Sequence, residues 1–178
     1  MLLINGSNRE KNNYQILKDI KKEKDQLLSL SHKNIKYCLG CDKCRETLKE
    51  YCIQKDDMKQ IYQELKENDK IVLSSPLYMS HITGLLKNMI DRCNPFYHHD
   101  YFNGKTIYLI LTGQATQEEN EEEIEEVVKY FAGISEWLNF NFKFLDYFTT
   151  GNSLKIDDVT KDKEYKDKIN KIIEIIDN

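Results

Sequence analysis

The sequence predicts an α/β protein, a three-layer α/β/α sandwich on a five-stranded parallel sheet, and three observations predict it. Short apolar runs end in polar breaks, helix-period stripes lie between them, and the alternation persists along the chain. Helices cover both faces of a parallel sheet, so its strands read as continuous apolar runs.

Met1 to Ile4 is such a run, and it stops at Asn5-Gly6-Ser7-Asn8, a polar turn. Tyr14, Ile16, Leu17 and Ile20 then recur at helical spacing. Leu27 to Ser31 is a weaker second strand. The stretch from His32 to Gln54 is irregular, far longer than an ordinary connection, and such loops usually carry function. Asp56-Asp57 followed by Met58, Ile61, Tyr62 and Leu65 predicts a second helix with acids at its positive end. Ile71-Val72-Leu73 is a buried strand closed by Ser74-Ser75-Pro76. Ile82, Leu85, Leu86, Met89 and Ile90 predict the next helix. Thr106 to Leu111 is the fourth strand, closed by Thr112-Gly113-Gln114. Glu118 to Leu138 follows as a long helix with the stripe Ile124, Val127, Val128, Phe131, Ile134 and Trp137. Phe142 to Phe148 is the fifth strand, and Lys161 to Ile176 the last helix. Five strands in this alternation fit the flavodoxin-like order, in which a ligand sits outside the carboxyl ends of the strands.

At 178 residues the chain is expected to form one domain, 1–178, with a cysteine-rich insertion at about 32–54. A net charge of −4 without a basic run argues against gripping nucleic acid or an anionic membrane. The apolar start is too short for a secretory or membrane segment, so a cytoplasmic location is expected. Five cysteines without an export signal read as thiols, metal ligands or redox groups rather than as a disulfide framework.

Three constellations carry chemistry. The turn Gly6-Ser7-Asn8-Arg9, continuing through Lys11, Asn12 and Asn13 into a helix, offers backbone N–H groups, short polar donors and a cation, as a phosphate needs. Its plain alternative is a polar turn. Neither G-x-G-x-x-G nor a P-loop is present, which favours a monophosphate. The loop Ser74 to His81 offers apolar, aromatic and backbone groups to a flat aromatic ligand, although Tyr78 and Met79 also suit a lid over the core. Cys38-x2-Cys41-x2-Cys44-x7-Cys52 has the arithmetic of a [4Fe–4S] site. Zinc prefers two separated pairs and a redox C-x2-C needs two thiols, so zinc and plain thiols stay open as alternatives. Cys93 reads as a small core residue.

Gly6-Ser7-x-Arg9 with Asn13, the four cysteines before Asp56-Asp57-Met58, Ser75-Pro76-Leu77-Tyr78 with Lys87 and Asp91-Arg92, and Gly104-Lys105 occur in one order. Together they resemble the NADPH-dependent FMN reductase family, and within it the iron–sulfur flavoproteins, over roughly residues 1 to 114. Tyr14 departs from the family, which more often has a small hydroxyl residue there, and the x7 gap before Cys52 is long.

The resemblance implies FMN held by Ser7, Asn8, Arg9, Asn12, Asn13 and Tyr14. The flavin ring would lie between Pro76, Leu77, Tyr78, Met79 and Ser80 on one side and Thr112, Gly113 and Gln114 on the other. It implies flavin-borne chemistry, with no catalytic side chain. Electrons would pass between a small-molecule or protein donor, NAD(P)H or a ferredoxin-like protein, and an acceptor, with a [4Fe–4S] cluster on the cysteines. A homodimer or homotetramer is implied as well. The alternatives are a cluster-free NAD(P)H-dependent flavin or quinone reductase, a flavodoxin-like carrier without a substrate, and a zinc-stabilised binding module. The segment Phe96, Tyr97, Tyr101 and Phe102 reads equally as a substrate wall, an interface or ordinary packing, and His81 as a helix-start residue or a catalytic one.

Overall fold

The computed structural model describes residues 1–47, 50–151 and 158–178. The elements run β1 (Leu2–Asn5), α1 (Asn12–Ile20), β2 (Gln26–Ser29), α2 (Lys43–Thr47), α3 (Met58–Glu67), β3 (Lys70–Pro76), α4 (Gly84–Asp91), α5 (Asn94–Tyr97), β4 (Thr106–Gly113), α6 (Glu121–Leu138), β5 (Asn141–Thr149) and α7 (Tyr165–Asp177). All neighbouring strands pair in parallel, in the order β2-β1-β3-β4-β5. This is the expected flavodoxin-like sandwich.

The strands are buried on both sides because each inserts between two helix layers. On one face Leu2, Ile4, Ile71, Leu73 and Leu109 pack with α3, α4, α5 and α6. On the other Leu3, Val72, Tyr108 and Ile110 pack with α1 and α7. Strand order reverses between β1 and β3, whose ends align Asn5 with Ser74, while Pro76 of β3 aligns with Thr112 of β4. Three strand-end turns therefore meet at one carboxyl edge, where a crevice must open.

Several expectations need correction. The second strand ends at Ser29 and passes into a single 3₁₀ turn, Leu30–His32. The irregular stretch holds a short helix, α2, while its residues 48 and 49 lie outside the described residues. The last helix starts at Tyr165, after a 3₁₀ turn at Val159–Lys161. Trp137 does not join the apolar stripe of α6: it is 74% exposed. Three-residue steps from Val128 through Phe131 and Ile134 each fall short of a full turn, at about 100° per residue, and rotate Trp137 off the buried face. Cys93 is core, as expected, but sits between α4 and α5. Burial pushes its thiol up to about 12, so it stays protonated. Among the described residues no helix is long and apolar enough to cross a membrane.

Candidate functional site

A cleft of about 590 Å³ opens at the carboxyl edge of the sheet, within the range of small-molecule and cofactor sites. Its first wall is the turn after β1 and the start of α1, with Ser7, Arg9, Lys11, Asn12 and Asn13. The turn is over-determined by its own hydrogen bonds. The N–H of Gly6 donates to Ser74 O (2.8 Å), that of Ser7 to Asn5 Oδ1 (3.1 Å) and that of Arg9 to Ser7 Oγ (3.2 Å). Thr83 Oγ1 donates to Gly6 O (2.6 Å) and also caps α4 by accepting from the N–H of Leu86 (3.1 Å). The turn is thus tied to β3 and α4 before any ligand arrives.

The electrostatics of this wall are positive. The N-cap of α1 is Lys11, a side chain with no acceptor, and the first turn contains no acid. Glu10 is engaged by Ser29 Oγ (2.8 Å). The helix start and the two cations suit an anion such as a phosphate.

The second wall is Pro76, Leu77, Tyr78 and Ser80. Tyr78 and His81 bond each other through both backbone groups (2.8 and 3.3 Å), closing a two-residue turn whose central residues Met79 and Ser80 have φ of 50° and 63°. That conformation normally takes Asn-Gly, so Met-Ser holds it at some cost, a strain that typically persists at ligand sites. The third wall is Thr112, Gly113, Gln114 and Ala115, with Asn120, Thr150 and Gly151 beside it. Buried Tyr147 fixes this loop: its hydroxyl donates to Ala115 O (2.7 Å) and accepts from Asn120 Nδ2 (2.7 Å). A methyl at Gly113 would collide with that hydroxyl.

The cleft gathers most of the expected flavin residues. Asn8, Tyr14 and Met79 do not line it, and Met79 is 98% exposed. Asn13 lines the cleft as a brace: its Nδ2 donates to Ser74 Oγ (2.7 Å) and its Oδ1 accepts from Thr112 Oγ1 (2.9 Å). Asn12 Oδ1 likewise accepts from the N–H of Val159 (3.0 Å). Lys11, which the sequence places in the turn without naming it as a ligand, lines the cleft too, as do Ala115, Asn120, Thr150 and Gly151, which were not expected there. Lys11 alone had a local signal, as a cation beside the helix start. His81 packs edge-on against Tyr130 (5.1 Å). The aromatic segment splits: Phe96 and Phe102 are core, Tyr101 lies under the Lys66 ammonium (4.0 Å), and Tyr97 is exposed.

The cysteine loop hangs on a buried ion pair. Arg92 Nη1 lies 2.7 Å from Asp56 Oδ2 and Nη2 lies 3.2 Å from Oδ1, with both side chains essentially inaccessible. Nη1 also donates to Lys36 O (2.6 Å), so one guanidinium holds the two ends of the loop. Burial works against the Asp56 carboxylate. The Arg92 hydrogen bonds, the N–H groups of Lys36 and Met58, and the guanidinium charge outweigh it and hold the carboxyl below its usual range.

Cys38, Cys41, Cys44 and Cys52 are all free thiols, the first two exposed and the others half-buried. Among the described residues no three Cys, His, Asp or Glu side chains are placed to hold a metal ion. A four-iron cluster asks something different, since each thiolate takes its own iron. Four thiols on one anchored loop fit that donor set in chemistry. Asn94 Nδ2 already donates to Cys44 Sγ (3.1 Å).

The sequence model described as NADPH-dependent FMN reductase matches residues 1–131. An iron–sulfur flavoprotein of Archaeoglobus fulgidus is 38% identical over 98 residues, 52% of this chain and 47% of that protein. One of Methanocaldococcus jannaschii is 45% identical over 65 residues, 36% of this chain and 32% of that protein. The chain thus spans about half the length, or less, of these relatives. Among solved structures, the Trp repressor binding protein from Bacillus subtilis superposes with a TM-score of 0.67 at 14% identity, covering 96% of both chains. An FMN-dependent NADH-azoreductase from Bacillus anthracis, in complex with FMN, reaches 0.65 at 13% identity, covering 99% of this chain and 97% of that one. At such identities the likeness shows the fold.

Proposed function

Because the chain belongs to the NADPH-dependent FMN reductase family, we propose that it is an FMN-dependent oxidoreductase that moves electrons between a reduced donor, NAD(P)H or a ferredoxin-like protein, and an acceptor. The observation that carries this reading is the cleft, with a cationic helix start at one end and an apolar and aromatic strand-end loop along its side. FMN bound there supplies hydride and one-electron chemistry. The chain's own residues bind and orient. Arg9, Lys11 and the helix start hold the phosphate, Pro76, Leu77 and Tyr78 wall the ring, and Asn13 keeps the loops carrying Ser74 and Thr112 at a set spacing.

The proposal extends to a [4Fe–4S] cluster on Cys38, Cys41, Cys44 and Cys52, supported by the spacing, by the anchored loop and by the iron–sulfur flavoproteins among the relatives. A bound cluster supplies one-electron exchange. The same reading makes the protein a cytoplasmic homodimer or homotetramer. A second reading is a cluster-free NAD(P)H-dependent flavin or quinone reductase in which Cys38, Cys41, Cys44 and Cys52 serve as plain thiols.

Anaerobic reconstitution with iron, sulfide and FMN tests both. The expected product shows flavin bands over a broad iron–sulfur absorption, with iron and sulfide bound. Flavin without iron would leave the cluster-free reductase, and a protein that takes up no FMN would sink the proposal. Within the cleft, Arg9→Ala is expected to weaken FMN binding by roughly ten- to a hundredfold, the size of a hydrogen bond to a charged group. Flavin fluorescence titration reads this, and an unchanged Kd would assign the phosphate to the backbone and Lys11.

A further inference from the structure

The junction of α4 and α5 presents a donor to the cysteine loop from an unusually rigid platform. Arg92, Cys93, Pro95 and Phe96 are all buried, and Asn94 between them is exposed. Pro95 restricts the backbone at the start of α5, the N–H of Cys93 is bonded to Ile90 O (2.9 Å), and Tyr62 Oη donates to Arg92 O. The Asn94 side chain therefore leaves a fixed backbone toward the loop. Its amide Nδ2 reaches Cys44 Sγ at 3.1 Å. A neutral thiol is a weak acceptor, whereas a metal-bound thiolate is anionic and takes a stronger, charge-assisted hydrogen bond.

Arg92 adds a second observation. Both of its terminal nitrogens serve Asp56, and Nη1 serves Lys36 O as well, but its buried Nε has no partner among the described residues. A buried N–H without an acceptor is costly and calls for an explanation. Half-buried Cys52 lies within electrostatic reach of this guanidinium. A thiolate at Cys52 would bring negative charge toward this guanidinium.

We propose that Asn94 is the positioning and tuning residue of the cysteine loop, donating its amide N–H to the Cys44 sulfur of a bound cluster and so raising the cluster's reduction potential, with Arg92 as the anchor that holds the loop against it. This rests on the cluster reading above. The sign follows from charge: reduction adds an electron to an already anionic centre, and an N–H donor stabilises the more negative state. Hydrogen bonds to the sulfurs are among the determinants of cluster potential.

The test is a redox titration of the reconstituted protein, followed by electron paramagnetic resonance for the cluster and by visible absorption for the flavin. Asn94→Ala is expected to shift the cluster's reduced-to-oxidised ratio about tenfold toward oxidised, or ~59 mV downward for a one-electron couple. The flavin couple should stay put, which a general loss of structure would not allow. Asn94→Asp, similar in shape but without the amide N–H, should lower the cluster potential at least as far. Its near-isosteric side chain keeps the test valid if the alanine variant loads poorly. Wild-type and variant proteins of equal iron content and equal cluster potential would overturn the inference alone. Wild-type protein that takes up FMN but no iron would overturn the cluster reading, and this inference with it.

Discussion

Replacing Arg92 with methionine is expected to lower the unfolding free energy by roughly 3–5 kcal/mol, because it strands a charge whose partner has been removed. The Asp56 carboxylate is fully buried and would keep its bonds from the N–H groups of Lys36 (3.0 Å) and Met58 (3.2 Å), but lose the guanidinium. The pH dependence identifies the cause. The folded-state pKa of Asp56 is depressed, so the pair's contribution is present above the unfolded carboxyl pKa of about 3.9 and is lost as pH falls through the lower folded value. In the variant the stranded carboxyl protonates more easily, and neutralisation relieves it. The stability gap between wild type and Arg92→Met should therefore be full near neutrality and narrow on acidification, as urea denaturation at a series of pH values would show. A gap independent of pH would mean that Arg92 contributes by packing its stem, not by its charge.

Gly6→Ala is expected to weaken FMN binding at the proposed flavin cleft while leaving most of the fold in place. A Cβ there would lie 2.9 Å from Ser74 O and 3.0 Å from Leu86 Cβ. The first is backbone of a central strand and the second is held by the Thr83 cap, so neither gives way cheaply. The turn must move instead, and its N–H bond to Ser74 O lengthens with it. Overpacking of this kind costs about 1–3 kcal/mol. Displacing the phosphate wall should weaken FMN binding by at least tenfold, about 1.4 kcal/mol. Gly84→Ala is the control, since a methyl there meets nothing within 4 Å. Equal FMN affinity in the two variants would show that the turn tolerates the shift.

How much of this was legible in the sequence depends on the range of the forces involved. Buried parallel strands declare themselves locally, as in Ile71-Val72-Leu73, because both faces must be apolar. The polar breaks after them, Gly6-Ser7, Pro76-Leu77 and Thr112-Gly113, are local too. Since every strand of such a sheet runs the same way, those breaks necessarily share one edge, and the cleft follows. Trp137 failed for a reason also present in the sequence, because the 3.6-residue period itself carries it off the stripe. Asn13 was readable as polar at a helix start. Whether its amide faces a ligand or braces Ser74 and Thr112, 61 and 99 residues away, depends on strand register.

The same distinction separates what sequence and tertiary structure each decide. Residue order and period by themselves determined the sandwich, the family resemblance, the carboxyl-edge site and the set of four thiols, since these follow from neighbours in the chain. Only the folded structure decided that Arg92 closes the cysteine loop on Asp56, that Asn94 faces Cys44 and that Tyr147 props the third wall. The Arg92 and Tyr147 contacts each depend on a buried polar group finding a partner far along the chain. Burial makes the partner obligatory, but the chain alone does not say which one comes within 3 Å.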